Sequence, residues 1–309
     1  MHLRSRNRRT AVAALLLAVL AACSPTDDST DSATDATTDP SSAPTSDPAS
    51  DSTTTAADEC AKDKLPLYEA DTLTIATDDP AFPPWFVDFD PTNGKGFESA
   101  VAYAVASEMG FSGDEVSWIT VPFNASYQPG PKKFDFDINQ ISITAKRAES
   151  VTFSDSYYSA AQAVITLKDT SPFAFATTLA DFAAAKLGAQ VGTTSLDAIT
   201  SEIAPRQPPA VFDNTNDAKQ ALLNGSVDAI VTDLPTAFYI TAVEIPEGTL
   251  VGQFQPTSGE TEQFGLLFEK GNELVGCVNQ ALTSLSEDGT LEKIEQRWLS
   301  NVVDVPELG

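Results

Sequence analysis

The sequence predicts an α/β protein whose sheets are largely parallel. Short apolar runs typical of buried strands alternate along the chain with amphipathic stretches that have the period of helices. This alternation favours helices packed on parallel sheets, because parallel strands need long crossover connections. The chain of 309 residues is 42% hydrophobic and 20% charged, which suits a globular core in one large domain or in two lobes.

The individual elements follow from these periods and from the turn residues that bound them. Strands are expected at residues 73–77, 116–121, 134–143, 187–191 and 228–232. Helices are expected at residues 97–110, 216–225, 272–285 and 290–298. Gly110 and Gly225 are suited to end the first two helices, because glycine adopts a left-handed conformation without strain.

The charge balance and the residue types exclude several functions. The chain has 18 Lys and Arg against 44 Asp and Glu, a formal net charge of −26, and therefore repels nucleic-acid backbones. The single histidine, His2, lies in the N-terminal segment, which excludes histidine-based catalysis and histidine metal ligands from the rest of the chain. The cysteines are too far apart for a zinc ribbon. We expect neither a metal nor a cofactor.

Residues 1–22 have the features of a secretory signal. Arginines that include Arg8 and Arg9 precede an apolar stretch that is too short to span a bilayer as a helix. Leu20-Ala21-Ala22-Cys23 resembles the lipobox of bacterial lipoproteins, in which the cysteine receives a lipid and cleavage occurs in front of it. We therefore expect Cys23 to anchor the mature chain to the extracytoplasmic face of the bacterial cell membrane.

The lipidated cysteine begins a linker that runs from residue 23 to residue 59. This segment consists mainly of Ser, Thr, Asp, Ala and Pro, and it lacks aromatic side chains and aliphatic ones larger than alanine. Because it has no apolar area to offset the entropy of ordering, we expect a disordered spacer.

Two cysteines, Cys60 and Cys277, remain beyond the linker. An even number of cysteines in an exported chain favours a disulfide, and two buried thiols are the alternative. A disulfide would attach the N-terminal entry segment to a C-terminal helix.

Several segments occur in an order that resembles one family. They are TDDPAFPPWF (77–86), GFESAVAYAVA (96–106), ISITAKR (141–147), VTFSDSYY (151–158), VGTTS (191–195), NGSVDAIVTDLPTAFYI (224–240) and DGTLEKIEQRWL (288–299). Together they are similar to the extracellular solute-binding proteins of polar amino-acid ABC transporters, bacterial family 3. The similarity covers nearly all of residues 70–300.

The resemblance implies a two-lobed α/β fold, the type II periplasmic-binding-protein arrangement, with a ligand cleft between the lobes. Lobe one is then expected at residues 60–158 and 265–309, and lobe two at residues 159–264. The two hinge segments that join them are expected near 157–161 and 262–266.

The two ends of a zwitterionic amino acid have complementary residues in these segments. Arg147 has a planar guanidinium that can bind a carboxylate, and the resemblance gives it this role together with the hydroxyl of Ser142. Asp233 follows a strand and matches the acid that binds the ligand's ammonium, although an Asp before Leu-Pro also suits a helix N-cap. Thr193 and Thr194 lie in a turn before a helix, where free N–H groups favour a carboxylate.

The side-chain end of the ligand is expected in lobe one. Phe82 and Phe123 match the aromatic walls of the family's site, and Trp85 is equally suited to a wall or to the core. Either Asp78 or Asp79 matches an acid that contacts the ligand's side chain. Asn139 and Gln140 stand where the family often has small residues. These amides slightly favour a ligand with a neutral polar side chain. Asp78 and Asp79 leave a cationic side chain as the alternative.

The resemblance implies a monomeric, lipid-anchored binding protein, without enzymatic activity, that captures an amino acid by closure of the cleft and delivers it to an ABC permease. The alternative is an enzyme of the cyclic-acid dehydratase type on the same fold. Such an enzyme needs a positioned general acid or base.

Overall fold

A computed structural model describes residues 59–256, 261–299 and 305–309. The predictions for the signal at 1–22, the lipid on Cys23 and most of the linker concern residues outside these ranges. Within the described ranges, every helix is too short or too polar to cross a membrane.

Ten strands and eight α-helices make up the described chain. The strands are β1 (Leu73–Thr77), β2 (Val116–Thr120), β3 (Phe136–Asp137), β4 (Val151–Ala160), β5 (Gln162–Leu167), β6 (Leu187–Gln190), β7 (Ala210–Phe212), β8 (Ala229–Asp233), β9 (Gly248–Phe254) and β10 (Glu262–Glu269). The helices are α1 (Phe97–Glu108), α2 (Phe123–Ser126), α3 (Ala145–Ala148), α4 (Thr194–Ala198), α5 (Thr215–Leu223), α6 (Leu234–Tyr239), α7 (Leu274–Glu287) and α8 (Thr290–Leu299).

The strands form two five-stranded sheets, which define the first and second lobes. The order is β2-β1-β3-β10-β4 in the first sheet and β7-β6-β8-β5-β9 in the second. Both sheets are mixed, so the prediction of largely parallel sheets is wrong. The strands β4, β5, β9 and β10 pair antiparallel because they carry the chain between the lobes. Only Ala161 separates β4 from β5.

Each lobe has its own core. In the first lobe, Val101 and Val105 of α1 pack with Val278 and Leu282 of α7 against the sheet. In the second lobe, helices cover both faces of the sheet, so the successive residues Val164 and Ile165 of β5 are buried in different clusters. Residues 134–143, predicted as one strand, form only the two-residue β3, because the chain turns at Gln140, which has a φ of 47°.

Two long-range attachments hold the ends of the described chain. Cys60 and Cys277 form a disulfide that joins the N-terminal segment to α7, with Cα atoms 5.4 Å apart. Residues 305–309 lie on the second sheet, which differs from their assignment to lobe one. The reason is that Leu308 packs where Gly252 of β9 has no side chain, and Leu308 N donates to Gln253 O over 2.8 Å.

Candidate functional site

A cavity lies between the lobes, where strands of both sheets end. Asp78 follows β1, Asn139 follows β3, Gln190 ends β6 and Asp233 ends β8. Ligands of open α/β sheets bind in the crevice beyond the carboxyl ends of parallel strands, and this cavity has that location. Its lining also contains Pro80, Phe82, Phe123, Gln140, Gln162, Thr193, Thr194, Ser195, Thr215, Thr232, Thr236, Glu262 and Phe264.

Asp233 places a carboxylate at this edge of the second sheet. The residue ends β8 and caps α6, where its Oδ1 accepts a hydrogen bond from Thr236 N over 2.9 Å. Burial raises the pKa of Asp233 to about 6. Both predictions for this residue, a helix cap and a carboxylate that faces the cleft, therefore describe the same side chain.

A second carboxylate, Glu262, joins the two lobes beside the cavity. Its Oε1 accepts from Ser142 Oγ in the first lobe and from Thr194 Oγ1 in the second, both over 2.5 Å. Its Oε2 accepts from Gln162 Nε2 over 2.6 Å. The Ser142 and Thr194 hydroxyls, predicted as ligand contacts, thus lie together 3.1 Å apart, with a hinge carboxylate bound to both.

Arg147 lies beside this cluster but is not one of the described residues that line the cavity. Its guanidinium donates to Ser142 O over 2.8 Å and to Gly192 O over 2.9 Å. The Tyr127 ring also packs against it, 4.9 Å from ring centroid to Cζ. Two of the five guanidinium N–H groups have partners within the described chain, and the others are available for an anion.

Of the three aromatic residues predicted at the site, two line the cavity and one belongs to the core of the first lobe. Phe82 and Phe123 line the cavity. Trp85 is fully buried in the core of the first lobe, and its Nε1 donates to Thr236 Oγ1 of the second lobe over 2.8 Å. Lys219 Nζ lies 5.1 Å from the centroid of the Phe82 ring.

The acids and amides at the first-lobe end also have different environments. Asp78 lines the cavity, where its Oδ2 accepts from Phe123 N over 3.2 Å, whereas Asp79 is exposed. Gln140 also lines the cavity, but its side chain donates to Oε2 of the buried Glu98. Asn139 is 7% exposed, and its Nδ2 has no hydrogen-bond partner within the described chain.

The charges that line the cavity have one sign. Asp78, Asp233 and Glu262 contribute carboxylates, and no Lys or Arg occurs among the described lining residues. Within the same part of the chain, no group of His, Cys, Asp and Glu could hold a metal ion. The cavity is therefore suited to a ligand with positive charge and hydrogen-bond donors.

Gln162 and Glu262 are cavity residues that the sequence did not reveal. Each lies in a hinge strand, β5 or β10, at the point where the chain passes between the lobes. Neither residue follows a strand in the way that Asp78 and Asp233 do. The signal that could have identified them is a polar residue at the start of an otherwise apolar hinge strand.

Comparison with known proteins identifies the class. Residues 73–301 match the family described as bacterial extracellular solute-binding proteins, family 3, and this chain belongs to that family. The family and the α/β fold therefore confirm the predicted resemblance.

The relatives bind different amino acids. The chain is 26% identical over 224 residues, 72% of this chain and 89% of the other, to an arginine-binding periplasmic protein of Mannheimia haemolytica. It is 28% identical over 241 residues, 75% of this chain and 82% of the other, to the L-cystine-binding protein TcyA of Bacillus subtilis (strain 168). Both relatives are named as binding proteins and not as enzymes.

A solved structure bears on the enzymatic alternative. It is an ancestral amino acid-binding protein, a precursor of cyclohexadienyl dehydratase, with a TM-score of 0.60 and 30% identity over 74% of this chain and 94% of that one. Even this neighbour is named as a binding protein. This chain thus belongs to a solute-binding family, and these relatives are named as amino acid-binding proteins.

Proposed function

We propose that this chain is the lipid-anchored receptor of an ABC importer, which captures a cationic L-α-amino acid and delivers it to the permease. The observation that carries the ligand class is a cavity with three carboxylates and no basic residue among its described lining. A cationic amino acid has a net positive charge, so it compensates these carboxylates better than a neutral one does.

The two ends of the amino acid have separate partners in this proposal. Asp233 binds the ammonium, and the unpaired N–H groups of Arg147 bind the carboxylate. In this arrangement the ligand contacts both lobes, since Arg147 belongs to the first and Asp233 to the second. A ligand favours closure only through contacts that the closed form makes better than the open one.

The ligand's side chain extends between Phe82 and Phe123 towards Asp78 and Asn139. Asp78 supplies a carboxylate for a guanidinium or ammonium at this end of the cavity. The arginine-binding relative supports this ligand class, and the cystine-binding relative supports a long polar ligand with the same α-amino acid end.

The remaining parts of the proposal concern location and delivery. The lipobox at Cys23 and the acidic linker support a receptor that is tethered outside the membrane. The oligomeric state that belongs to this proposal is a monomer. The closed form, in which both lobes contact the ligand, is the form that the permease recognises. Deletion of this chain from its source cell is expected to abolish high-affinity uptake of the bound amino acid.

Calorimetric titration of the purified chain with each of the twenty amino acids tests the binding function. We expect L-arginine or L-lysine to bind most tightly, and binding of none would refute the function. Asp78→Asn is expected to remove the preference for cationic over neutral amino acids. Asp79→Asn, a change at the exposed neighbour, is the matched control and is expected to retain that preference.

A further inference from the structure

We infer that Gln162 is a ligand-binding residue, whose Oε1 accepts a hydrogen bond from the ligand's ammonium beside Asp233. This inference rests on the proposed amino acid-binding function and adds a second acceptor at the same end of the ligand. Gln162 is 2% exposed, lines the cavity, and has an Oε1 without a hydrogen-bond partner in the described chain.

The sheet register places Gln162 next to the ammonium site. Gln162 of β5 is the direct antiparallel partner of Asp233 in β8. Side chains of directly opposed residues project from the same face of a sheet, with Cβ atoms about 5 Å apart. An ammonium that binds the Asp233 carboxylate is therefore within reach of the neighbouring amide.

The orientation of the amide is determined by Glu262. The Nε2 of Gln162 donates to Glu262 Oε2 over 2.6 Å. The reverse orientation would point the amide oxygen at a carboxylate, which has no proton to donate when it is ionised. Glu262 is itself held by the Ser142 and Thr194 hydroxyls, so the oxygen of Gln162 is the atom left without a partner.

The chemistry of this oxygen suits an ammonium. An amide oxygen has lone pairs that accept N–H donors, and a buried acceptor without a partner is costly unless a ligand satisfies it. An ammonium has three N–H donors, of which Asp233 satisfies one or two. The position predicts that Gln162 distinguishes an amino acid from an analogue that lacks the ammonium.

The test compares the wild-type chain with Gln162→Met, which keeps the length of the side chain and removes the acceptor. The probes are L-arginine and its analogue without the ammonium, 5-guanidinopentanoic acid. If L-arginine does not bind the wild type, the tightest binder of the twenty amino acids and its des-amino analogue replace them. Gln253→Met, the same change on β9 outside the cavity, is the matched control.

We expect Gln162→Met to weaken binding of the amino acid about 10- to 100-fold and to change binding of the des-amino analogue little, because only the amino acid donates to this oxygen. Gln253→Met is expected to change neither. An equal loss for both probes, or no loss for either, would overturn the role of Gln162 while leaving the binding function intact. Failure of the wild type to bind any amino acid would refute the proposed function, and this inference with it.

A crystal structure of the wild-type complex gives a measurement that does not depend on the folding of a variant. We expect the ligand nitrogen within about 3.2 Å of Gln162 Oε1. A separation that leaves this oxygen without a contact to the ammonium would refute the inference.

Discussion

The guanidinium of Arg147 donates a hydrogen bond to the backbone oxygen of Gly192 over 2.9 Å, and so joins the two lobes directly. Gly192 has a φ of +73°, and a side chain there would place its Cβ 2.1 Å from the Tyr127 hydroxyl. A side chain at this position would therefore have to displace the Tyr127 and Asn124 side chains of the first lobe.

Gly192→Ala is expected to weaken ligand binding about tenfold or more. The added methyl group collides with Tyr127 and keeps the lobes apart, and the left-handed conformation adds about 1–2 kcal/mol of strain. Gly225→Ala is the matched control, because Gly225 has the same φ of +73° with no atom near the added Cβ. We expect similar losses of stability in both variants by chemical denaturation. Equal ligand affinity in the two would contradict the role of the close approach.

The affinity for the amino acid is expected to fall as the pH decreases through about 6. Burial raises the pKa of Asp233 to about 6, and only the ionised carboxylate attracts an ammonium. Below this pH the ligand must displace a proton, which weakens binding up to tenfold per pH unit. Calorimetry between pH 5 and pH 8 measures this effect.

Asp233→Asn removes the carboxylate and retains the cap of α6, because asparagine also accepts from Thr236 N. It is expected to lower affinity by about two to three decades and to abolish the decline near pH 6. Asp228→Asn, at an acid that accepts from Lys186 N outside the cavity, is the control. A pH dependence that persists in Asp233→Asn would assign it to another group.

Glu98 is expected to make the protein less stable as the pH rises. Burial raises its pKa from 4.5 to about 8, and hydrogen bonds from Tyr157 and Gln140 lower it only in part. Between these values the unfolded chain ionises while the folded chain retains the proton, so the free energy of unfolding decreases with pH.

Glu98→Gln is expected to reduce this decrease by about 3–4 kcal/mol between pH 5 and pH 8. Denaturant titrations at several pH values provide the measurement. Glu108→Gln, at the other end of α1, is expected to leave the slope unchanged. If Glu98→Gln has the wild-type slope, Glu98 is ionised in the folded chain.

Removal of the disulfide is expected to lower stability markedly. Cys60 and Cys277 are 217 residues apart in sequence, and the bond restricts a correspondingly long loop of the unfolded chain. The chain-entropy model gives a loss of about 5 kcal/mol for a loop of this length. The double variant Cys60→Ala with Cys277→Ala and the reduced wild type should unfold at similar, lower temperatures. Two titratable thiols in the non-reduced wild type would refute the bond.

Cys23→Ala is expected to yield a chain without lipid. Stable anchoring needs more than one acyl chain, and the cysteine thiol is the attachment point that the lipobox predicts. Mass spectrometry of the chain from a bacterial membrane fraction gives the measurement. Lipid that remains on the Cys23→Ala chain would refute the anchor.

The sequence alone predicted those structural features that depend on residues close together in the chain. A strand such as β1 is visible as an apolar run, and the helix cap formed by Asp233 is visible as an acid before Leu-Pro. The order of such segments also identified the family. These features depend on residues that are near one another in the chain, so the pattern of neighbouring residue types contains the information.

Only the tertiary structure decided the positions that depend on distant pairing. Gln162 lies beside Asp233 because of the register of β5 with β8, and Glu262 lies beside Thr194 because the chain crosses between the lobes there. Trp85 is buried in the core, where its Nε1 donates to Thr236 Oγ1, and Asp78 lines the cavity, where it accepts from Phe123 N. The amino-acid sequence by itself determined the family and the residue types at the strand ends. The fold decided which of those side chains meet, because contacts between residues about seventy positions apart depend on strand register and on how the chain crosses between the lobes.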